Sequence, residues 1–103
     1  MATKQLCGVN VEVNDEGYFL NADQWTKEMS IEMAKEYNIT LTDLHFKVLE
    51  FLRERNRKGE VLTLRGVGKS GIVDIKGLYE LFPGGPLKIS SKIAGIPKPV
   101  SCV

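Results

Sequence analysis

The fold this sequence predicts is mostly α with a small N-terminal β-hairpin, an α+β chain forming one compact helical domain with a flexible C-terminal arm. Three observations predict it. Val9, Val11 and Val13 alternate with Asn10 and Glu12, the period of a half-buried strand. Apolar residues then recur at helical spacing through most of the chain. Finally, Pro97 and Pro99 lack backbone N–H groups and push their neighbours toward extended conformations, so no helix survives at the end. A chain of 103 residues holds one modest core. The expected division is a single domain over residues 1–95 and an arm over residues 96–103.

The elements follow in order. After Val13, Asn14-Asp15-Glu16-Gly17 supplies turn residues and Tyr18-Phe19-Leu20 returns as the second strand of the hairpin. Asn21 and Gln24 match the spacing of a capping box and open a first helix, with Trp25, Met29, Met33 and Tyr37 along one buried face. Thr40 or Thr42 caps a second helix whose core face is Leu41, Leu44, Val48, Leu49 and Leu52. Its charged far end, Arg53-Glu54-Arg55-Asn56-Arg57-Lys58, reads as a solvated terminus stopped by Gly59. Val61-Leu62-Thr63-Leu64 reads as a short strand or extended link, and Arg65 to Gly71 as a flexible loop with two cations. Asp74 caps a third helix facing Ile75, Leu78, Tyr79 and Phe82 inward, ended by Pro83-Gly84-Gly85. Pro86 suits the first turn of a short fourth helix, with Leu87, Ile89 and Ile93 apolar and Gly95 just past its end.

Composition excludes several function classes. The charged share is 26%, the hydrophobic share 43% and the net charge +1, so no global field advertises nucleic acid or a cationic ligand. No apolar run approaches the ~20 residues a membrane span needs, and the first residues lack the apolar stretch of a signal peptide. The expectation is a cytoplasmic protein without membrane contact. Cys7 and Cys102 are expected as free thiols. With no Cys-x-x-Cys pair and His45 as the only histidine, a zinc site lacks ligands, and no metal or other cofactor is expected. Gly66-Val67-Gly68-Lys69-Ser70 matches only the end of a phosphate-binding loop, because Thr63 stands where the first glycine is required. His45 lies at the edge of an apolar helix face with no carboxylate or nucleophile in pattern, so a packed helix histidine is expected rather than a general base. There is no catalytic constellation.

The arm is where chemistry is expected. From Ile96 to Val103 the chain extends up to about 26 Å at ~3.3 Å per residue, so Cys102 is placed like a hook able to enter a cleft on another protein. The thiolate is the reactive form, and a persulfide is a reversible cargo for it. Lys98 is the arm's only charged side chain, and Arg65 and Lys69 are further cations available to a folded-back arm. Cys7 is expected as an inert, semi-buried thiol at a strand edge.

The residues Leu81-Phe82-Pro83-Gly84-Gly85-Pro86, Lys88, Lys92-Ile93-Ala94-Gly95-Ile96-Pro97-Lys98-Pro99 and Ser101-Cys102-Val103 strongly resemble the C-terminal signature of the DsrC/TusE family. Those are gamma-subunit-like proteins of dissimilatory sulfite reductase and sulfur-relay proteins of tRNA thiolation. Asp15-Glu16-Gly17-Tyr18, Trp25 and Leu41-Thr42-Asp43-Leu44-His45-Phe46 extend the match, loosely in the middle and closely from Leu81 on. The resemblance implies that Cys102 is the sulfur-carrying residue. It also implies that the second arm cysteine of the sulfite-reductase members is replaced here by Ser91, which forms no disulfide. Ser101 replaces a glycine and Phe46 a tryptophan common in that family.

The reading that results is a monomeric, non-enzymatic persulfide carrier, of a type that can carry a sulfurtransferase name. It passes sulfur through Cys102 from an upstream donor protein to a downstream acceptor, toward tRNA 2-thiouridine synthesis. Pro97, Lys98, Pro99, Arg65, Lys69 and Lys92 are its arm and partner-binding residues. The alternative is a gamma-subunit-like partner of dissimilatory sulfite reductase. A helix-turn-helix DNA-binding regulator is the alternative from another class. Residues 75–93 supply two short helices around a glycine-rich turn, with Arg65, Lys69, Lys76, Lys88 and Lys92 toward phosphate. The net charge of +1 counts against it.

Overall fold

The structure, a computed structural model, describes residues 2–98. Ala2–Leu6 (β1) and Val9–Val13 (β2) pair antiparallel in a two-stranded sheet, with Ala2 opposite Val13 and Leu6 opposite Val9. Cys7 and Gly8 make the connecting turn with φ of 51° and 78°, the paired left-handed backbone that a two-residue hairpin loop requires. This corrects the expected hairpin. The partner of β2 is the polar segment before it, and the 18–20 segment returns only as a single bridge between Val13 and Phe19. The 14–17 turn does form. Asn14 Oδ1 accepts from the N–H groups of Glu16 and Tyr18 at 2.9 and 3.0 Å, an Asx turn that buries Tyr18 and Phe19.

Asn21 caps only a 3₁₀ turn, Ala22–Gln24, by accepting from Asp23 N–H. The first α-helix, Lys27–Lys35 (α1), starts later because Thr26 caps it, its hydroxyl accepting from Met29 N–H at 3.3 Å. Trp25 therefore stands before the helix. Met29 and Met33 are buried, and Tyr37, past the end, is exposed. Asp43–Arg57 (α2) opens with the capping box of Thr42 and His45. Val48, Leu49 and Leu52 are fully buried, whereas Leu44 faces solvent. Gly59, at φ 74°, ends the helix as expected.

Residues 61–63 form an extended link. The expected flexible loop is instead a short helix, Leu64–Gly68 (α3), begun by the Thr63 hydroxyl accepting from Gly66 N–H at 2.9 Å. Burying Val67 against the core outweighs the poor helix propensity of two glycines. Ile75–Leu81 (α4) is capped by Asp74. It buries Leu78 and leads to buried Phe82, while Ile75 and Tyr79 lie on its outer face and not inward. Pro86–Ile93 (α5) begins with Pro86 in its first turn.

The core gathers around α5. It packs against α1, α2 and α4, while α3 packs on α4 and β1 touches α1. Pro86, Leu87, Ile89, Ser90, Ser91 and Ile93 are all buried, leaving Lys88 and Lys92 as the helix's outward residues. This is why the DNA reading fails: the second helix of the supposed motif is the centre of the core and cannot enter a groove. The ordered body also continues past residue 95, because Ile96 is fully buried.

Candidate functional site

The site is built where α5 ends and the chain heads for its C-terminus. Gly95 follows the last turn at φ 67°, and its N–H donates to Lys92 O at 3.1 Å. Ile96 N–H donates to Ser91 O at 3.3 Å, closing the helix end backward onto itself. Side chains from elsewhere close the remaining carbonyls. Trp25 Nε1–H donates to Ile93 O at 2.8 Å, and Arg53 Nη1–H donates to Ala94 O at 2.9 Å. The Arg53 guanidinium lies 4.2 Å from the Trp25 ring centre and reaches Ala22 O with its other nitrogen at 3.1 Å. Partial burial, with Arg57 nearby, pulls its pKa below the usual arginine value; it remains a cation.

Beyond Ile96, Pro97 is half-buried and Lys98 exposed. The Lys98 ammonium donates to Glu16 Oε1 at 2.6 Å, tying this end of the chain to the 14–17 turn. Lys98 first, then the more distant Lys92 and Lys88, hold the Glu16 carboxyl below its ordinary value of 4.5 against a smaller desolvation effect. Lys92 itself sits 5.2 Å from the Tyr18 ring centre. On the other side, Pro97 and Lys98 border a groove of about 170 Å³ with Asn56, Gly59, Glu60, Val61 and Leu62.

The structure thus gathers Lys92, Pro97 and Lys98 of the expected residues around one corner. Arg65 lies in α3 and Lys69 is the residue that caps its C-terminal end; Arg65 lines a separate apolar hollow with Thr63, Leu64 and Ile75. Pro99 and Cys102 lie outside the described residues. Ser91 is fully buried on the inner side of α5, and its hydroxyl has no hydrogen-bond partner among the described residues.

Cys7 is not a semi-buried strand-edge thiol: it is exposed at the hairpin turn. Its N–H donates to Glu32 Oε2 at 2.6 Å. A thiol hydrogen bond to the same carboxylate, together with its charge, raises the Cys7 pKa above 9.0. This disfavours the thiolate, the reactive form. His45 is structural, as expected. Its Nδ1 accepts from Thr42 N–H at 3.1 Å, so Nε2 carries the proton and donates to Leu81 O at 2.9 Å. Among the described residues no group of histidine, cysteine and acidic side chains could hold a metal ion, and no helix is long and apolar enough to cross a membrane.

Sequence reasoning missed Arg53 and Glu16. For Arg53 a signal existed: it follows Phe46 and Leu49 at seven and four positions, on the buried side of α2. Glu16 carried none beyond its place in a turn.

The family description "DsrC like protein" matches residues 5–103. The chain belongs to the DsrC-like family. It is similar to the sulfurtransferase TusE of Buchnera aphidicola from Acyrthosiphon pisum, 40% identical over 103 residues that cover 91% of this chain and 90% of the relative. Among solved structures it is similar to Allochromatium vinosum DsrC, with a TM-score of 0.80 and 35% identity over 98% of this chain and 97% of that one. The oxidized gamma-subunit of the dissimilatory sulfite reductase, DsrC, from Archaeoglobus fulgidus superposes with a TM-score of 0.82 at 28% identity, over 99% of this chain and 100% of that one. The small hairpin followed by helices packed around α5 is therefore the DsrC-like fold.

Proposed function

We propose that this DsrC-like protein is a sulfur carrier that holds a persulfide on Cys102 and passes it between protein partners, in the manner that the name of its TusE relatives implies. The observation that carries the reading is Ser91. It occupies the position the family resemblance gives to a second arm cysteine, deep in the core and unable to form a disulfide. Cys102 is then the thiol to which the family resemblance assigns the sulfur, while Glu32 raises the pKa of Cys7 and disfavours its thiolate. A single thiol suits relay. The Cys102 thiolate attacks the outer sulfur of a donor persulfide, a new S–S bond forms at Cys102, and the donor leaves as its own thiolate. Transfer onward repeats the step with Cys102 as the leaving thiolate, so sulfur moves with no net redox change in the carrier.

The lysines around Glu16, with Pro97 at the groove, form the surface that a donor or acceptor protein contacts. The downstream destination is tRNA 2-thiouridine synthesis in the cytoplasm, and the chain acts as carrier and not as catalyst. A second reading, a partner of dissimilatory sulfite reductase, draws on the likeness to the Archaeoglobus fulgidus gamma-subunit. Copurification with a siroheme enzyme would favour that second reading. The relay is tested by mass spectrometry after incubation with a cysteine desulfurase and its relay proteins. A sulfur adduct of one atom is expected on Cys102; an adduct that survives Cys102→Ser and disappears in Cys7→Ser would overturn it.

A further inference from the structure

We infer that Trp25 and Arg53 are positioning residues, a clamp that fixes where the arm leaves the fold and so sets the working radius of Cys102. Only the functional consequence rests on the relay reading; the clamp itself stands on geometry. Trp25 Nε1–H holds the carbonyl of Ile93 and Arg53 Nη1–H that of Ala94, two successive residues at the end of α5. The other arm of the same guanidinium holds Ala22 O, in the 3₁₀ turn that ends at Trp25, and its plane covers the Trp25 ring. Tryptophan, arginine and helix end therefore brace one another. Gly95 completes the device. A Cβ there would lie 2.2 Å from Trp25 Cδ1, so the backbone crosses the indole in contact, and φ of 67° independently favours glycine.

An ordinary helix C-terminus needs none of this, because water or its own backbone satisfies the last carbonyls. Here all of Arg53's hydrogen bonds among the described residues go to carbonyls, and the Asp23 charge offsets the partial burial of the guanidinium only in part. That arrangement makes sense if the direction of the exiting chain matters. With Ile96 buried next and Lys98 paired with Glu16 at the surface, the chain is held firmly at residue 96 and more weakly at residue 98. From Lys98 to Cys102 is four residue steps, a contour of about 14 Å, against roughly 25 Å for the seven steps from Gly95. While the Lys98–Glu16 pair holds, a partner meets Cys102 within roughly 14 Å of that corner.

The test uses the full chain with Trp25→Phe, which keeps an aromatic ring and loses the N–H, and with Arg53→Lys, which keeps the charge and loses the fork. Amide hydrogen exchange should accelerate by roughly tenfold or more at Gly95 and Ile96 while Val48, Leu49 and Leu52 keep their protection. Spin labels on Cys102 and on Glu50→Cys, in a Cys7→Ser background, should give a broader distance distribution in each variant than in the parent, by about 1.3-fold for a root that moves from residue 98 to residue 95. Exchange at Gly95 and Ile96 as fast in the parent as in the variants would overturn the clamp. So would an unchanged distance distribution, or acceleration spread evenly over all amides, which would mark a purely global role. The relay reading fails separately: if Cys102 takes up no sulfur from glutathione persulfide in any variant while exchange and distances behave as stated, carriage is wrong and the clamp stands.

Discussion

Ser91 shows what a single atom does in this core. Its hydroxyl is fully buried with no partner, a state that costs about 1–3 kcal/mol for a polar group. Sulfur at the same place would need none, since a buried thiol behaves as a small hydrophobe. Ser91→Cys and Ser91→Ala are therefore both expected to raise stability by about 1 kcal/mol, read as a higher urea midpoint at unchanged slope. A lower midpoint in both would mean that the hydroxyl has a partner in solution. Cys7 offers the complementary case, a thiol whose reactivity is set by one neighbour. Glu32→Gln keeps an acceptor but removes the charge that disfavours the thiolate, so iodoacetamide should modify Cys7 severalfold faster at pH 8 in that variant. Equal rates would separate Cys7 from Glu32.

At the scale of elements, α2 is fastened at both ends by polar contacts that join it to its neighbours. His45 ties its first turn to the last residue of α4 through Leu81 O and packs edge-on against Phe82 at 5.1 Å between ring centres. His45→Ala leaves the Leu81 carbonyl and Thr42 N–H without these partners and opens space beside Phe82, a loss of about 2–3 kcal/mol. Thr42→Ala removes only the cap and should cost about 1 kcal/mol. Denaturation midpoints check both, and a histidine variant no weaker than the threonine variant would contradict the bridging role. The other end of α2 supplies Arg53 to the arm's root, so damage at His45 should leave exchange at Gly95 and Ile96 nearly intact.

Across the whole molecule, the Lys98–Glu16 pair brings the C-terminal end of the described chain onto the turn that follows β2. Glu16 titrates below its ordinary value in the fold because Lys98 bonds the ionised form, with Lys92 and Lys88 adding attraction. A carboxyl with a depressed folded pKa contributes stability above its unfolded value and loses it as pH falls through the folded one. The tie should thus be complete above pH 4.5 and release as pH drops below it. Both side chains are well exposed, so the energy is small and salt screens it. Carboxyl NMR should show Glu16 titrating below the other exposed glutamates, and Lys98→Met should return it to the ordinary value. A Glu16 curve that ignores Lys98→Met would remove the tie from solution.

Much of this protein could be read from the residues alone, and what could not has a common cause. The helices over residues 43–57, 75–81 and 86–93 announce themselves through apolar spacing, the Thr42 and Asp74 caps, Gly59, and Pro86 at the start of α5. These signals act within a few residues along the chain, so local sequence determines them. The family signature from Leu81 onward, with serine at 91, was equally visible because it is a matter of residue identity. Tertiary structure decided the rest. The polar 2–6 segment becomes a strand only because β2 lies beside it, and two glycines enter α3 because Val67 finds the core. Arg53 reads as a solvated charge until Trp25, Ala22 and the end of α5 meet around it. Ile96 reads as the beginning of a free arm until the core closes over it. Local periodicity records which face of an element is apolar; only the packed chain determines what that face meets, and at residues 93–98 that meeting decides how the chain leaves α5.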